Sequence, residues 1–260
     1  MRYKVLCGYI RQRWDCGDTV EIEEKHTGKY GARGQTREKK RKATPEEIKK
    51  HNQWKRERDV RRLIKWNFRE RDYWITLTYP KDYRPTWEEM KDHAGKLVRK
   101  MREKYKKQGW TLKYIYRLAI GSRGGRHIHI LINRESNEKT ATDLIITDLW
   151  EQQWGHGHVN FRTTYNEGGY KQLAEYLTKP LEEWEPDEVK RYHPSRNLIR
   201  KDPEVDEIKR RSLVDCDGTP RMPKAPKGYY VDPESIEVGI NPITHYAYRH
   251  YTLIKIKKRE

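Results

Sequence analysis

The apolar and polar positions in the middle of the chain follow two periods, those of strands and of helices. Segment 73–79 (YWITLTY) is rich in β-branched and aromatic residues and a proline follows it, which predicts a strand. Apolar residues then recur at three- and four-residue steps from Met90 to Tyr105, after the capping sequence TWEE, which predicts an amphipathic helix. Segments 112–120 and 127–133 also have strand patterns, and the short Gly-rich loop between them predicts an antiparallel hairpin.

Three more elements complete the predicted order. They are a helix over 140–154, a short strand over 158–162 and a helix over 166–179 that a proline ends. The succession of strand, helix, hairpin, helix, strand and helix predicts an α+β fold. In that fold a central antiparallel sheet carries helices packed on one face.

The flanking segments differ from this core in composition. Residues 1–70 are predicted to form a basic N-terminal arm and then a helix, which begins at the capping sequence TPEE. The basic run REKKRK at 37–42 marks the arm as facing solvent or phosphate. Residues 71–184 form the core. Residues 185–260 mix prolines, charges and tyrosines, and we expect a C-terminal accessory segment that closes the fold or forms a small second unit.

The charge of the chain indicates a polyanionic partner. Lysine and arginine number 57 against 39 acidic residues, which gives a net charge of +18. Such a chain binds nucleic acid by releasing the counterions condensed on its phosphates. Nine tryptophans and 18 tyrosines stand against two phenylalanines, and their flat rings are suited both to base stacking and to a core. We expect most of the tryptophans to be buried. Composition predicts nothing about catalysis.

Several classes of protein do not fit the sequence. It has no apolar run long enough to cross a bilayer and no apolar stretch typical of a secretory signal near residue 1. The three cysteines are too scattered for a disulfide scaffold or a zinc cluster. The loop at 121–125 lacks the Lys-Ser/Thr ending of a nucleotide-binding loop, so no nucleotide cofactor is expected. We therefore expect a soluble cytoplasmic protein with no membrane partner.

Two histidines form the first candidate for chemistry. Because strand side chains alternate between faces, His127 and His129 share one face while Ile128, Ile130 and Ile132 take the other. The isoleucines can be buried against helices, which leaves the imidazoles side by side and within reach of one divalent cation. Imidazole binds Mn²⁺ well, and Mg²⁺ when waters and phosphate oxygens complete its coordination. The alternative is a strand whose exposed face is rich in histidine by chance.

The second candidate is a tyrosine and a lysine at the end of the last core helix. A spacing of three places Tyr176 and Lys179 on one helical face. A phenol, with a pKa of about 10, is a poor nucleophile unless a cation or metal stabilises the phenolate. The lysine ammonium can supply that help. The alternative is an ordinary surface pair on a basic protein.

Taken in order, three motifs resemble the HUH superfamily of single-strand DNA endonucleases, specifically rolling-circle replication initiators. The motifs are the strand ITLTY at 75–79, the histidine strand GGRHIHILI at 124–132 and the helix EYLTK at 175–179. The nucleophile follows the histidines, an order similar to that of replication initiators rather than conjugative relaxases. The resemblance implies a ferredoxin-like palm for the core.

The resemblance also implies an activity, which is sequence-specific nicking and rejoining of single-stranded or hairpin origin DNA. His127 and His129 would hold Mn²⁺ or Mg²⁺, and Tyr176 would form a 5′-phosphotyrosine with help from Lys179. A host polymerase would extend the free 3′-hydroxyl and a host helicase would unwind the duplex, inside a bacterial host cell. Among other residues, the DNA contacts predicted are Arg123, Arg126, Tyr170 and Lys171, with packing as the alternative for Tyr170.

Two features depart from the superfamily pattern. Such initiators add a third polar ligand, often a carboxylate on the strand paired with the histidines, but this chain has Ala119 where a glutamate is expected. Tyr170 and Tyr176 are six residues apart, or about 240° after one full turn of a helix, so a paired-tyrosine mechanism is disfavoured. Two alternatives stay open. One is a non-catalytic basic nucleic-acid-binding protein, and the other is a transposase or relaxase of the same superfamily.

Overall fold

The computed structural model describes residues 8–27, 42–165, 167–186, 190–209, 213–215, 217–241 and 245–256. Residues 37–41 of the predicted basic run lie outside these ranges. The chain divides into two compact units. One is Gln53–Ile199, here called the core unit. The described residues before and after it together form the other, here called the terminal unit.

The core unit contains most of the helices. Its elements in chain order are α1 (Pro45–Asn67, from Gln53 onward), β3 (Tyr73–Thr78), α2 (Trp87–Lys107), β4 (Tyr114–Ile120), β5 (Arg126–Ile132), α3 (Thr142–Thr147), β6 (Val159–Thr163), α4 (Lys171–Thr178) and β7 (His193–Pro194). In the terminal unit, the strands are β1 (Tyr9–Asp15), β2 (Thr19–His26), β8 (Glu204–Ile208), β9 (Tyr229–Val231), β10 (Glu237–Ile240) and β11 (Ala247–Lys255). None of the helices in the described ranges is long and apolar enough to cross a membrane.

The core unit is built on one antiparallel sheet, as the sequence predicts. Its five strands lie in the order β6-β3-β5-β4-β7, so β5 is central and β3 and β4 flank it. The isoleucines of β5 at 128, 130 and 132 are buried in a cluster with α2 and α3 side chains. The predicted capping box of α2 is present, with the Thr86 side chain accepting from the Glu89 backbone. The α+β fold with helices packed on its sheet is confirmed.

Helices also cover part of the second face of this sheet. Leu131 of β5 and Ile115 of β4 are buried with Leu63 and Ile64 of α1 and Leu177 of α4. Because strand side chains alternate, this is the face that also carries His127 and His129. Helix α4 is thereby positioned beside the two histidines.

The two helices predicted over 140–154 and 166–179 differ from expectation in their geometry. Helix α3 ends at Thr147 and continues as a π-helix over Asp148–Gln153, whose Trp150 indole donates a hydrogen bond of 3.1 Å to the Thr78 carbonyl. Anchoring this indole to the end of β3 requires the wider turn of the π-helix. Helix α4 begins only at Lys171, after a 3₁₀ turn and a residue with left-handed backbone, Tyr170 (φ 61°).

The terminal unit is a second antiparallel sheet with the strand order β10-β11-β2-β1-β8, and β9 also pairs with β11. The sequence did not predict strands β1 and β2, since charged residues dominate their composition. At its centre the fully buried carboxylate of Glu24 pairs with Arg249 at 2.5 Å and with Arg11 at 2.7 Å. One carboxylate therefore neutralises two guanidinium groups inside this sheet.

The expectation that most tryptophans are buried was wrong. Trp14 and Trp150 are buried, Trp184 is exposed, and the other six are intermediate. Intermediate burial leaves part of an indole in contact with water, as expected when its edge is polar.

The pairing around Glu24 generates a stability prediction. Glu24→Gln leaves two guanidinium groups without a counter-charge, and because Arg249 is buried we expect a loss of about 3–5 kcal/mol in the free energy of unfolding of the terminal unit. Urea unfolding followed by circular dichroism measures the loss. The control is Glu204→Gln, which removes an exposed partner of Arg13 and should cost less than about 1 kcal/mol. Equal losses in the two variants would contradict the role of the buried pair.

The surroundings of His156 generate a prediction about pH. Its ring lies between Trp150 and the ring of His93, 4.2 Å away, and its buried Nε2 has no hydrogen-bond partner among the described residues. Burial, and then the charges of His93 and Lys96, lower the pKa of His156 to about 4. The unfolded chain therefore binds a proton at about pH 6.5 that the folded chain does not, so stability is full above that pH and falls towards pH 4.

In thermal melts recorded from pH 7 to pH 4, His156→Gln should give a shallower fall in Tm than the wild-type protein. His158→Gln, which changes a side chain that is 92% exposed, is the matched control and should keep the wild-type slope. A wild-type slope in both variants would show that His156 does not carry this dependence.

Candidate active site

His127 and His129 lie side by side on β5, with ring centroids 6.0 Å apart. The register of the sheet determines their neighbours. Thr76 of β3 and Arg117 of β4 lie opposite His129, and Ala119 lies opposite His127. The alternation predicted from the sequence therefore brings the two imidazoles to one face, between two strands that supply a hydroxyl and a guanidinium.

His129 is held in a fixed orientation. Its Nδ1 lies 3.1 Å from the Thr76 hydroxyl, and its ring stacks on Trp74 with centroids 5.6 Å apart and planes 7° from parallel. Burial, followed by the charges of His127 and Arg117, lowers its pKa to about 4, so the ring is neutral near pH 7. We assign the proton to Nδ1, donating to Thr76, which leaves Nε2 as an acceptor.

Tyr176 is the partner of that acceptor. Its hydroxyl lies 2.6 Å from His129 Nε2, and its ring meets Trp74 edge-to-face with centroids 5.5 Å apart. The residue is 39% exposed, so solvent or a ligand reaches it. Burial raises the pKa of the phenol, the Arg117 charge opposes this and Glu185 adds to it. The structure thus joins the predicted nucleophile and one predicted metal ligand directly.

His127 keeps an unused coordinating atom. Its Nδ1 is buried and has no hydrogen-bond partner among the described residues, and burial lowers its pKa, which favours the neutral ring. A Cβ placed on Gly125 would lie 3.1 Å from His127 Nε2, so the absence of a side chain there keeps space around this nitrogen. The imidazole is therefore available to a ligand on its Nε2 side.

These donors fit a divalent ion held by two imidazoles and otherwise by water or phosphate oxygens. No carboxylate joins them from β4, because the residue opposite His127 is Ala119. Across the described ranges no group of three or more His, Cys, Asp or Glu side chains is arranged to hold a metal. An ion bound through His129 Nε2 would have to displace the Tyr176 hydroxyl, since both use the same lone pair.

Arg117 is a residue of the site that the sequence analysis missed. It is 3% exposed, and its Nη1 donates to the carbonyls of Lys179 (2.6 Å) and Tyr176 (3.3 Å) at the end of α4. Its Nη2 lies 3.5 Å from the buried carboxylate of Glu185. The signal in the sequence is a lone arginine inside an apolar strand, YIYRLAI. For Trp74 and Thr76 the signal was weaker, since both are ordinary strand residues.

The structure places Lys179 differently from the prediction. Helix α4 ends at Thr178, and Lys179 has extended backbone, so the two side chains do not project from one continuous helical face. Its amine forms an ion pair with Glu182. Its contact with Tyr176 is through the backbone, where its N–H donates to the Tyr176 carbonyl at 3.4 Å.

The four predicted DNA contacts fall into two groups. Arg123 and Lys171 are exposed. Arg126 is half-buried and donates to the carbonyls of Pro85 and Gly124, and Tyr170 is 6% exposed in the cluster formed by α1 and α4. Tyr170 is a packing residue in this structure, and it lies apart from the exposed Tyr176, as the helical spacing predicts.

Comparison with known proteins adds a family to this geometry. No curated protein and no solved structure shows significant similarity to the chain. Residues 72–181 match the model of a family of replication-associated proteins, the one described by its member ORF2. The match covers both histidines, Arg117, Tyr176 and Lys179, and it is consistent with a protein that initiates replication.

Proposed function

We propose that this chain is a metal-dependent, sequence-specific single-strand DNA nickase and ligase that initiates rolling-circle replication, with Tyr176 as its nucleophile. The observation that supports this most is the 2.6 Å contact between the Tyr176 hydroxyl and His129 Nε2, on an exposed face of a replication-associated core. The contact holds a nucleophile beside a neutral, oriented imidazole. A basic chain supplies the attraction for the DNA strand.

The proposed reaction exchanges one phosphodiester for another. The Tyr176 oxygen attacks the phosphorus of the scissile phosphate, the bond from phosphorus to the 3′-oxygen breaks, and a 5′-phosphotyrosine and a free 3′-hydroxyl result. The phenol proton leaves to water, which reaches the exposed side of Tyr176. In the reverse direction a 3′-hydroxyl attacks the phosphotyrosine, restores the phenol and rejoins the strand. A host polymerase would extend the 3′-hydroxyl, and a host helicase would expose the single-stranded or hairpin origin.

His127 and His129 are the residues that would hold the Mn²⁺ or Mg²⁺ ion. A divalent ion in such a site polarises the phosphate and stabilises the charge that develops on its oxygens. Thr76 and Trp74 keep His129 in the required rotamer and tautomer. In the absence of the ion, the hydroxyl of Tyr176 is held in place by His129 Nε2.

Cationic side chains would stabilise the phenolate and the phosphate. The buried guanidinium of Arg117 opposes the rise in the pKa of the Tyr176 phenol that burial causes. Lys179 would turn from Glu182 to the scissile phosphate when DNA binds. Arg123 and Lys171, both exposed, would contact the phosphates on either side, and Arg126 would support the loop that carries Arg123.

Removing the phenol should abolish covalent attachment. Tyr176→Phe keeps the ring but has no oxygen to attack phosphorus, so formation of a denaturation-resistant DNA adduct should fall by at least about 10⁴-fold. The measurement is gel electrophoresis of labelled single-stranded DNA after denaturation. Binding of the same DNA should stay within about threefold of the wild-type protein, because one hydrogen bond contributes only about 0.5–1.5 kcal/mol. Tyr165→Phe, at a tyrosine that is 69% exposed, is the control and should form the adduct normally.

Metal binding should depend on both imidazoles and compete with the phenol. In calorimetric titrations with Mn²⁺, His127→Gln and His129→Gln should each weaken binding by about tenfold or more, whereas His158→Gln should not. Tyr176→Phe frees His129 Nε2 and should strengthen binding by about two- to tenfold, the equivalent of one hydrogen bond. A chelator should stop adduct formation. Full adduct formation by metal-free protein would contradict the assignment of the histidines.

A further inference from the structure

The segment after α4, residues 180–185, is fixed to the end of β4 by a buried ion pair. Arg117 and Glu185 have side chains that are 3% and 1% exposed. One oxygen of Glu185 accepts from the Ile120 backbone at 3.1 Å, and the other accepts from the Glu182 backbone at 3.0 Å. We call residues 180–185 the ledge. Since both oxygens of the carboxylate are used, the ledge has a defined position relative to the hairpin of β4 and β5.

Trp184 projects from this ledge with one edge bound and much of its surface free. Its indole N–H donates to the Ile120 carbonyl at 2.7 Å, while the residue is 48% exposed. In the described part of the chain the other eight tryptophans are more buried. An indole that is already oriented loses little conformational freedom when a flat ligand stacks on it.

The ledge and the nucleophile share one anchor. Arg117 donates to the carbonyl of Tyr176 through Nη1 and to that of Pro180 through Nη2, at 3.3 and 3.4 Å. The same guanidinium therefore holds the end of α4 and the start of the ledge. The indole of Trp184 is in this way tied to the same strand, β4, as the helix that carries the candidate nucleophile.

The charges near the indole favour a phosphate backbone. Exposed Lys179 directly precedes the ledge, and exposed Arg123 lies three residues beyond Ile120, the residue that binds the indole. Single-stranded nucleic acids bind where cations follow the backbone and aromatic rings stack on the bases. A duplex keeps its bases stacked on each other and offers no such face in its interior.

We infer that Trp184 is a stacking platform for an unpaired nucleobase of the strand that Tyr176 attacks, held in place by the Arg117–Glu185 pair. The inference rests on the proposed function for the identity of that strand. It adds a residue that contacts substrate and that lies outside the three motifs. The platform selects single-stranded over double-stranded DNA, because only an unpaired base has both faces available.

Binding to two probes that differ only in their bases tests the inference. One is a labelled oligothymidylate of about 20 nucleotides, and the other is an abasic strand of the same length and charge. Fluorescence anisotropy in chelator gives Kd for each, so no nicking is required. The ratio of the two Kd values measures the contribution of the bases. In Trp184→Ala this ratio should fall by about tenfold, since stacking on one aromatic side chain is worth about 1–3 kcal/mol.

Two further variants separate stacking from folding. Trp184→Phe keeps an aromatic face without the hydrogen bond to Ile120 and should retain the ratio within about threefold, whereas Trp184→Leu keeps apolar bulk and should lose it. Tyr230→Ala removes an aromatic residue of equal exposure, 48%, and should leave the ratio unchanged. A ratio that is unchanged in Trp184→Ala and Trp184→Leu, or a wild-type ratio near one, would overturn the inference. Loss of the ratio without any tyrosine adduct in wild-type protein would support the platform and reject the nickase.

Discussion

The hydrogen bond between the Tyr176 hydroxyl and His129 Nε2 is the contact on which the chemistry of this molecule depends. At 2.6 Å it requires a neutral imidazole with its proton on Nδ1, and Thr76 and Trp74 provide that state by accepting the proton and stacking on the ring. The contact also makes the phenol and a metal ion competitors for one nitrogen. A site of this kind protects its nucleophile in a protonated, oriented form until an ion and a phosphate arrive.

Arg117 gives this contact its rigidity. A guanidinium buried between β4 and the end of α4 would be strongly destabilising alone, but it binds four carbonyls and the carboxylate of Glu185. The helix that carries Tyr176 is short, and its last turn is fixed by these bonds rather than by its own capping residue. Because the same pair fixes Trp184, the nucleophile and the proposed base platform belong to one unit of structure.

Much of the core could be predicted from sequence, because its signals are local. The period of β5 predicted that the isoleucines at 128, 130 and 132 face the helices and that His127 faces away with His129, and the capping sequence TWEE predicted where α2 begins. The rest depended on contacts far apart in sequence. Strands β1 and β2 are stabilised by β11, more than 200 residues later. The buried bonds of Arg117 reach residues about 60 positions away, and the amine of Lys179 pairs with Glu182 rather than facing the phenol. Periodicity contains no information about such partners.

Mass spectrometry of the protein after reaction with single-stranded origin DNA and Mn²⁺ tests the central claim most directly. After proteolysis and nuclease digestion, the account predicts that the peptide containing Tyr176 gains the mass of a nucleotide joined through its 5′-phosphate, with fragment ions that place the addition on the tyrosine. A nucleotide attached to any other residue, or cleaved DNA with no modified peptide, would contradict it.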